Sequence, residues 1–174
     1  MSEHSTHGPF DDIRVVSDEL DISGFDCGNP DLNDFIRNEA LQDWKNDYSV
    51  TYVGLIAGCP AAFITLVAGT YRAQDLFKNG KTDYKYRQVP AVKIARIATD
   101  IKFQTRGFGV YFIDYAIAVA LKVKKLIGCK LIIADALPDK IGWYRRCGFA
   151  LSVSAKRIMS GVESIPMHAV LPRG

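Results

Sequence analysis

The sequence predicts an α+β domain, and three observations predict it. Strand-like and helix-like segments follow the order β, α, β-hairpin, β, α, β, α, β, β. Two apolar runs, 50–57 and 61–70, flank a Gly58-Cys59-Pro60 turn, as a hairpin requires. One further strand, 91–99, passes through a glycine-bearing turn into a long apolar helix. A chain of 174 residues fits one domain, so 1–174 reads as a unit with residues 1–10 as a disordered lead-in.

The elements follow in order. Residues 13–16 (IRVV) form a short strand, and a turn-rich stretch runs from Ser23 to Pro30. Asp31 is the expected N-cap of a helix, because Leu32, Phe35, Ile36, Ala40 and Leu41 recur at helical spacing. After the hairpin, polar residues 78–88 form a loop and 91–99 (AVKIARIAT) a strand. A helix opens at Gly107–Gly109 and runs to about Ile127; Lys122, Lys124 and Lys125 suit its C-terminal dipole, and Gly128 ends it. Residues 130–136 (KLIIADA) form a strand, and Pro138 starts a short helix over 138–146. Residues 149–159 and 165–171 complete the pattern as two strands.

Composition excludes several classes. At 48% hydrophobic and 24% charged the chain is neither disordered nor collagen-like. Cys27, Cys59, Cys129 and Cys147 form no C-x-x-C pair and read as small buried hydrophobes. His4, His7 and His168 are too scattered for a metal site, so no metal is expected. From Phe108 to Leu121 only Asp114 is charged, but a membrane span needs about 20 residues. Residues 1–9 are polar and lack the apolar core of a signal peptide. The expectation is a cytoplasmic protein with reduced thiols.

Charge is uneven. Residues 11–47 carry eleven acids and three bases, net −8, whereas 48–174 carry nineteen bases and seven acids, net +12. Six bases (Lys78, Lys81, Lys85, Arg87, Lys93, Arg96) face one acid, Asp83, within 78–96. Such a surface attracts polyanions, although solvated loop charges would produce the same pattern.

The turn Gln104-Thr105-Arg106-Gly107-Phe108-Gly109 is the one segment built for an anion. Helix-start amides lack partners within the helix, and glycine admits close approach of a phosphate. A Walker A loop needs G-K-[ST], but Val110 follows Gly109; a dinucleotide fingerprint needs a third glycine where Phe112 stands. The pattern [Q/R]-x-x-G-x-[G/A] is filled by Gln104, Gly107 and Gly109.

Placed between a strand and an apolar helix, this pattern resembles the pyrophosphate loop of the GNAT superfamily of N-acetyltransferases. That family carries an aromatic-rich "FY-x-x-x-GF" segment after the next strand. Here it reads Trp143-Tyr144-Arg145-Arg146-Cys147-Gly148-Phe149. The segments VPAVKIARIATD, QTRGFG and GFDCGNPDLNDFIRNEA look like those of the tRNA-acetylating toxins of toxin–antitoxin modules. The resemblance implies a mixed, mostly antiparallel twisted sheet of about six to seven strands flanked by about four helices.

It also implies a chemistry. Acetyl-CoA would lie with its pantetheine arm along Ile97, Ala98 and Thr99 and its diphosphate on Gln104, Thr105, Arg106, Gly107, Phe108, Gly109 and Val110. Arg106 would add a charge-assisted bond, and an N–H near Ala98 would hold the oxyanion. Tyr144 falls where the family places the acid that protonates the departing thiolate; a phenol with pKa near 10 is protonated at neutral pH. Asp100 and Asp135 are the candidates for a general base. An aminoacyl ester needs little help from one, since its α-amine is less basic than a lysine side chain.

Arg87, Lys93, Arg96, Arg145 and Arg146, with Lys156 and Arg157, are the candidate RNA contacts. Three functions stay open: an acetyltransferase of aminoacyl-tRNA held by a small antitoxin, an acetyltransferase of a small-molecule or protein amine, and a non-catalytic CoA- or RNA-binding module. A homodimer and a monomer explain the apolar final strand equally well.

Overall fold

The computed structural model describes residues 8–76, 85–152 and 164–173. Its strands are β1 (Asp12–Val15), β2 (Val50–Ile56), β3 (Cys59–Arg72), β4 (Gln88–Thr99), β5 (Leu131–Ala136), β6 (Ala150–Leu151) and β7 (Ile165–Val170). Its helices are α1 (Pro30–Asp34), α2 (Ala40–Lys45), α3 (Phe108–Ile127) and α4 (Ile141–Arg146). A π-helical turn, Phe35–Glu39, joins α1 to α2. The strand order is β1-β2-β3-β4-β5-β7-β6. β4 and β5 are parallel, while β1–β2, β2–β3, β5–β7 and β6–β7 are antiparallel. Lys78, Lys81, Lys156, Arg157, His4 and His7 lie outside the described residues, as does most of the strand expected over 149–159.

The chain divides into two compact units, Met1–Leu66 with Arg96–Asp114 and Val67–Ala95 with Tyr115–Gly174. The first is built on the β2–β3 hairpin. Its turn is two residues, Ala57 and Gly58, at φ 49° and 75°. That double positive φ matches the twist of the flanking strands. Cys59 and Pro60, expected in the turn, instead open β3, and Cys59 is exposed rather than buried. The helical spacing read from Leu32 to Leu41 puts Phe35, Ile36 and Ala40 into a core with Phe25, Val53 and Phe63. The cap is Asn29 rather than Asp31: its side chain accepts from the N–H of Asp31 and Leu32. Pro30 at the first helical position places the cap one residue before itself.

Residues 8–10, expected in a disordered lead-in, are among the described residues. Phe10 is buried, its ring 5.0 Å from Phe108 and 4.8 Å from Phe112. The ring lies so close over Gly54 that a Cβ there would stand 2.5 Å from it. Gly54 therefore has to be glycine for Phe10 to reach the first turn of α3.

The second unit centres on β5, whose apolar run LIIADA is buried at every position but Asp135. Leu131 and Ile133 pack with Tyr71, Val89 and Ala91. Residues 91–94 of β4 pair with 131–134 of β5, and β5 pairs along its length with β7. Gly128, at φ 80°, follows the last turn of α3 as expected.

His168 of β7 is only 8% exposed, lies 5.5 Å from the Tyr71 ring, and its Nδ1 has no hydrogen-bond partner among the described residues. Burial holds its pKa below the usual value of 6.5. The unfolded chain therefore takes up a proton that the fold resists. The resulting stability is complete above pH 6.5 and falls as pH drops below it. Denaturant titrations between pH 7 and pH 5 should show a loss of stability that His168→Leu reduces. Equal pH slopes in parent and variant would contradict this.

Candidate active site

The glycine turn expected to hold an anion follows from how β4 ends. Ile97 and Thr99 are half-buried and Ala98 is buried. The chain then turns at Asp100, which is 2% exposed. Its carboxylate accepts the N–H of Asp26 and of Lys102, each at 2.9 Å, and its own N–H donates to Ala61 O at 2.9 Å. Both oxygens thus serve main-chain donors, so Asp100 is a structural latch and not a free base. Ile101 N–H donates to Asp26 O at 2.8 Å and completes the tie.

Gln104 adds a second tie. Its Nε2 donates to Thr99 O at 3.0 Å and to Cys27 O at 3.1 Å. The side chain therefore closes the turn on the 26–33 segment rather than reaching outward. That segment is itself braced: Asp26 Oδ1 accepts Gly28 N–H and Asn33 Nδ2, and Asn33 Oδ1 accepts Cys27 N–H. The Gly28 N–H and then Asn33 hold the Asp26 carboxyl below the usual carboxylate range.

Past Gln104 the backbone reverses. Thr105 stands at φ 66° and Gly107 at φ 85°. Thr105 Oγ1 donates to Gln104 O at 2.6 Å. Nothing lies within 4 Å of the position a Gly107 side chain would occupy. The glycine is needed for its φ, and the space beside it is open. α3 then starts at buried Phe108, with Phe103 edge-on at 6.0 Å. Tyr111 N–H donates to Gly107 O at 3.1 Å, which leaves the preceding helix-start amides, Phe108, Gly109 and Val110 among them, free of intrahelical partners. Arg106 is exposed, its guanidinium 5.6 Å from the Phe103 ring centre. A positive helix end, open space beside Gly107 and an exposed guanidinium suit a diphosphate.

The other sequence-derived candidates fall out unevenly. Arg87, Arg145 and Arg146 are exposed. Lys93 is half-buried with its Nζ 2.6 Å from Asp135. Arg96 lays its guanidinium 3.8 Å over the Phe35 ring. These last two cations are engaged within the protein. Their partners are separated from them by dozens of residues in sequence, so no local signal could have revealed the pairing.

Tyr144 sits in the second unit, on α4. It is 6% exposed and packs edge-on against Trp143 at 4.9 Å and Phe149 at 5.3 Å. Burial, with the neighbouring Cys147 and Asp135, pushes its pKa up to about 12. The phenol is protonated across the whole physiological range. Among the described residues no group of His, Cys, Asp and Glu has the makeup of a metal site, and no helix is long and apolar enough to cross a membrane.

Comparison with known proteins gives a consistent result. The chain is similar to the tRNA-acetylating toxin of Mycobacterium tuberculosis (strain ATCC 25618 / H37Rv): 29% identity over 127 residues, spanning 73% of this chain and 76% of that protein. It superposes on AtaT complexed with acetyl-methionyl-tRNAfMet with a TM-score of 0.77 at 20% identity, over 91% of this chain and 94% of that one. A mutant AtaT toxin, bound to the C-terminus of the antitoxin AtaR and acetyl-CoA, gives 0.71 at 18% identity over 92% of each chain. No protein-family model matches the chain.

The latch makes its own prediction. Asp100→Asn replaces one acceptor by a donor that faces a main-chain N–H, so the unfolding free energy should fall by about 2 kcal/mol. Chemical denaturation measures it. A variant as stable as the parent would mean that the turn is held by something else.

Proposed function

We propose that this chain, which has the GNAT fold, is an acetyl-CoA-dependent N-acetyltransferase acting on the α-amine of aminoacyl-tRNA, as the toxin of a toxin–antitoxin module. The observation that carries the reading is the latched turn at the start of α3, a diphosphate cradle, in a chain similar to a tRNA-acetylating toxin. The related AtaT structures, bound to acetyl-methionyl-tRNAfMet and to acetyl-CoA with its antitoxin, support the same donor, acceptor and partner class. A small antitoxin protein and a cytoplasmic location belong to this reading, and both compact units serve one acetyltransferase domain.

In this proposal the donor's diphosphate rests on the amides of Gly107 to Val110, with Arg106 adding charge, and its pantetheine arm follows Ile97 to Thr99. The Ala98 N–H steadies the oxyanion that forms when the amine attacks the thioester carbon. The C–N bond forms, the C–S bond breaks, and a proton passes from the nitrogen to the sulfur. Tyr144 is the donor to that sulfur. A phenol with a pKa of about 12 is a reluctant acid, so the proton it gives is replaced by the one the nitrogen releases, and phenolate never accumulates. Arg87, Arg145 and Arg146 meet the RNA backbone, whereas Lys93 and Arg96 contribute less because their charges are already in contact with other groups.

Mass spectrometry of aminoacyl-tRNA treated with the protein and labelled acetyl-CoA tests the activity: the label should appear on the amino acid. Labelled polyamine or protein amine, with none on tRNA, would favour a different acceptor.

Tyr144→Phe should lower turnover by tens of fold with acetyl-CoA affinity nearly unchanged. In the parent, the alkaline limb due to Tyr144 lies near pH 12, so the rate should rise through neutrality as the acceptor amine loses its proton. Parent-like turnover in Tyr144→Phe removes the phenol from the chemistry.

A further inference from the structure

The Lys93–Asp135 pair is the unexplained charged feature of the second unit. Lys93 is set beside Ile133 in the β4–β5 register, and Ile133 is set beside His168 of β7. Side chains two apart on a strand share a face, so Lys93, Asp135 and His168 project from the same side of the sheet. Lys93 Nζ and Asp135 Oδ2 are 2.6 Å apart, with the side chains 35% and 43% exposed. Gly69 of β3 presents no side chain beside the Lys93 stem. The β4–β5 pairing ends at Ile94 and Ala134, one residue before Asp135. The carboxylate therefore stands where β4 leaves β5, and the chain continues from it through Pro138 into α4 and Tyr144. Asp135 is close enough to act on both Tyr71 and Tyr144 electrostatically.

We infer that this ion pair sets the acceptor class: with Lys93 cancelling Asp135, the site offers no net charge to an ammonium and selects amines that are already neutral. The inference rests on the acetyl-transfer reading above. In that reaction the attacking nitrogen and the departing sulfur share one tetrahedral carbon, so the amine must approach the region of Tyr144 and hence of Asp135. A lone carboxylate there would hold an alkylammonium and accept its proton. A carboxylate already bound to Lys93 does neither. What remains is selection by ionisation. At pH 7 an α-amine with pKa near 7.7 is neutral in about one molecule in six, and a lysine-type amine with pKa near 10.4 in about one in 2,500. The ratio is roughly 400-fold in favour of α-amines, and an aminoacyl ester, less basic still, gains more.

The experiment compares thiol release from acetyl-CoA with pooled aminoacyl-tRNA and with spermidine. The parent should favour aminoacyl-tRNA strongly. Lys93→Met frees the Asp135 charge and should shift the ratio of kcat/KM toward spermidine by tenfold or more. Lys93→Met combined with Asp135→Asn restores a site without net charge and should return the ratio to the parental one. A ratio unchanged in Lys93→Met, including no turnover of spermidine at all, overturns the inference. So does a double variant that stays shifted, because the shift would then come from lost packing and not from charge. A parent protein that releases no thiol with either acceptor defeats the acetyl-transfer reading itself, which a failure confined to the variants leaves standing.

Discussion

The first unit depends on one buried carboxylate. Asp100 receives a main-chain N–H from Lys102, two residues on, and another from Asp26, more than seventy residues away in sequence. Hydrogen bonds to a charged group contribute about 1.5–3 kcal/mol each, and the one from Asp26 joins two stretches of chain that no strand pairing connects among the described residues. Gln104 repeats the connection from the other side of the turn, donating to Cys27 O and Thr99 O. Both ties lie just before the two left-handed positions, Thr105 and Gly107, and the space beside Gly107 is open. The aromatic contact of Phe10 on Phe108 adds packing at the same helix start.

This arrangement changes how the motif is understood. Gln104 matches the pattern of a diphosphate loop, which invites the view that its side chain binds the ligand. Its amide is spent on two carbonyls of the protein. The amide nitrogen donates to both at once, so in the proposed reading the diphosphate is left to the helix-start amides and Arg106. The acidic N-terminal segment has a similar role. Asp26, Asn29 and Asn33 use their side chains to cap and brace their own turn. Of the eleven acids in residues 11–47, Asp21, Asp26 and Asp34 accept locally, from Ser23, from Gly28 and Asn33, and from Asn38, so these three charges have structural work without a cationic partner.

Tyr144 obeys a different constraint. It is packed between Trp143 and Phe149, and the same packing that orients the ring also removes water from the hydroxyl. Desolvation disfavours the phenolate, so the group is fully loaded with its proton and is a reluctant acid. In the proposed reaction the departing thiolate is a weaker base than this phenolate, so the transfer is completed only as the proton released by the nitrogen reloads the phenol. Burial keeps the hydroxyl protonated, as the proposed leaving-group role requires, and makes it unfit to act as a base.

Several features were legible in the residues alone. The apolar runs of 50–57 and 130–136 announced strands, and Gly107 and Gly128 marked the two ends of α3. These are local properties, carried by periodicity and by glycine's access to positive φ, and a local reading can recover them. The cap at Asn29 was also written there, in the Pro30 that follows it, and was missed in favour of the aspartate next along. The low charge of 108–121 overstated the burial of α3, which buries one stripe (Phe108, Phe112, Ile113, Ala116, Ala120) and exposes Val110, Asp114 and Ala118. The two-residue hairpin turn was not legible, since Ala57 gives no sign of a left-handed backbone.

What the tertiary structure alone decided was the use of charge. The sequence determined how many cations there are and in which segment, but charge is felt through space, and space is set by strand register. Lys93 looked like one more base in a polyanion-binding run until β4 paired with β5 and brought Asp135 to it. Arg96 became a cover for Phe35, and Asp100 became a bracket for two peptide groups. Each of these partners is remote in the chain, so composition and spacing carry no trace of them. The fold had to bring the strands together before a base could be told from a latch, or a free cation from a paired one.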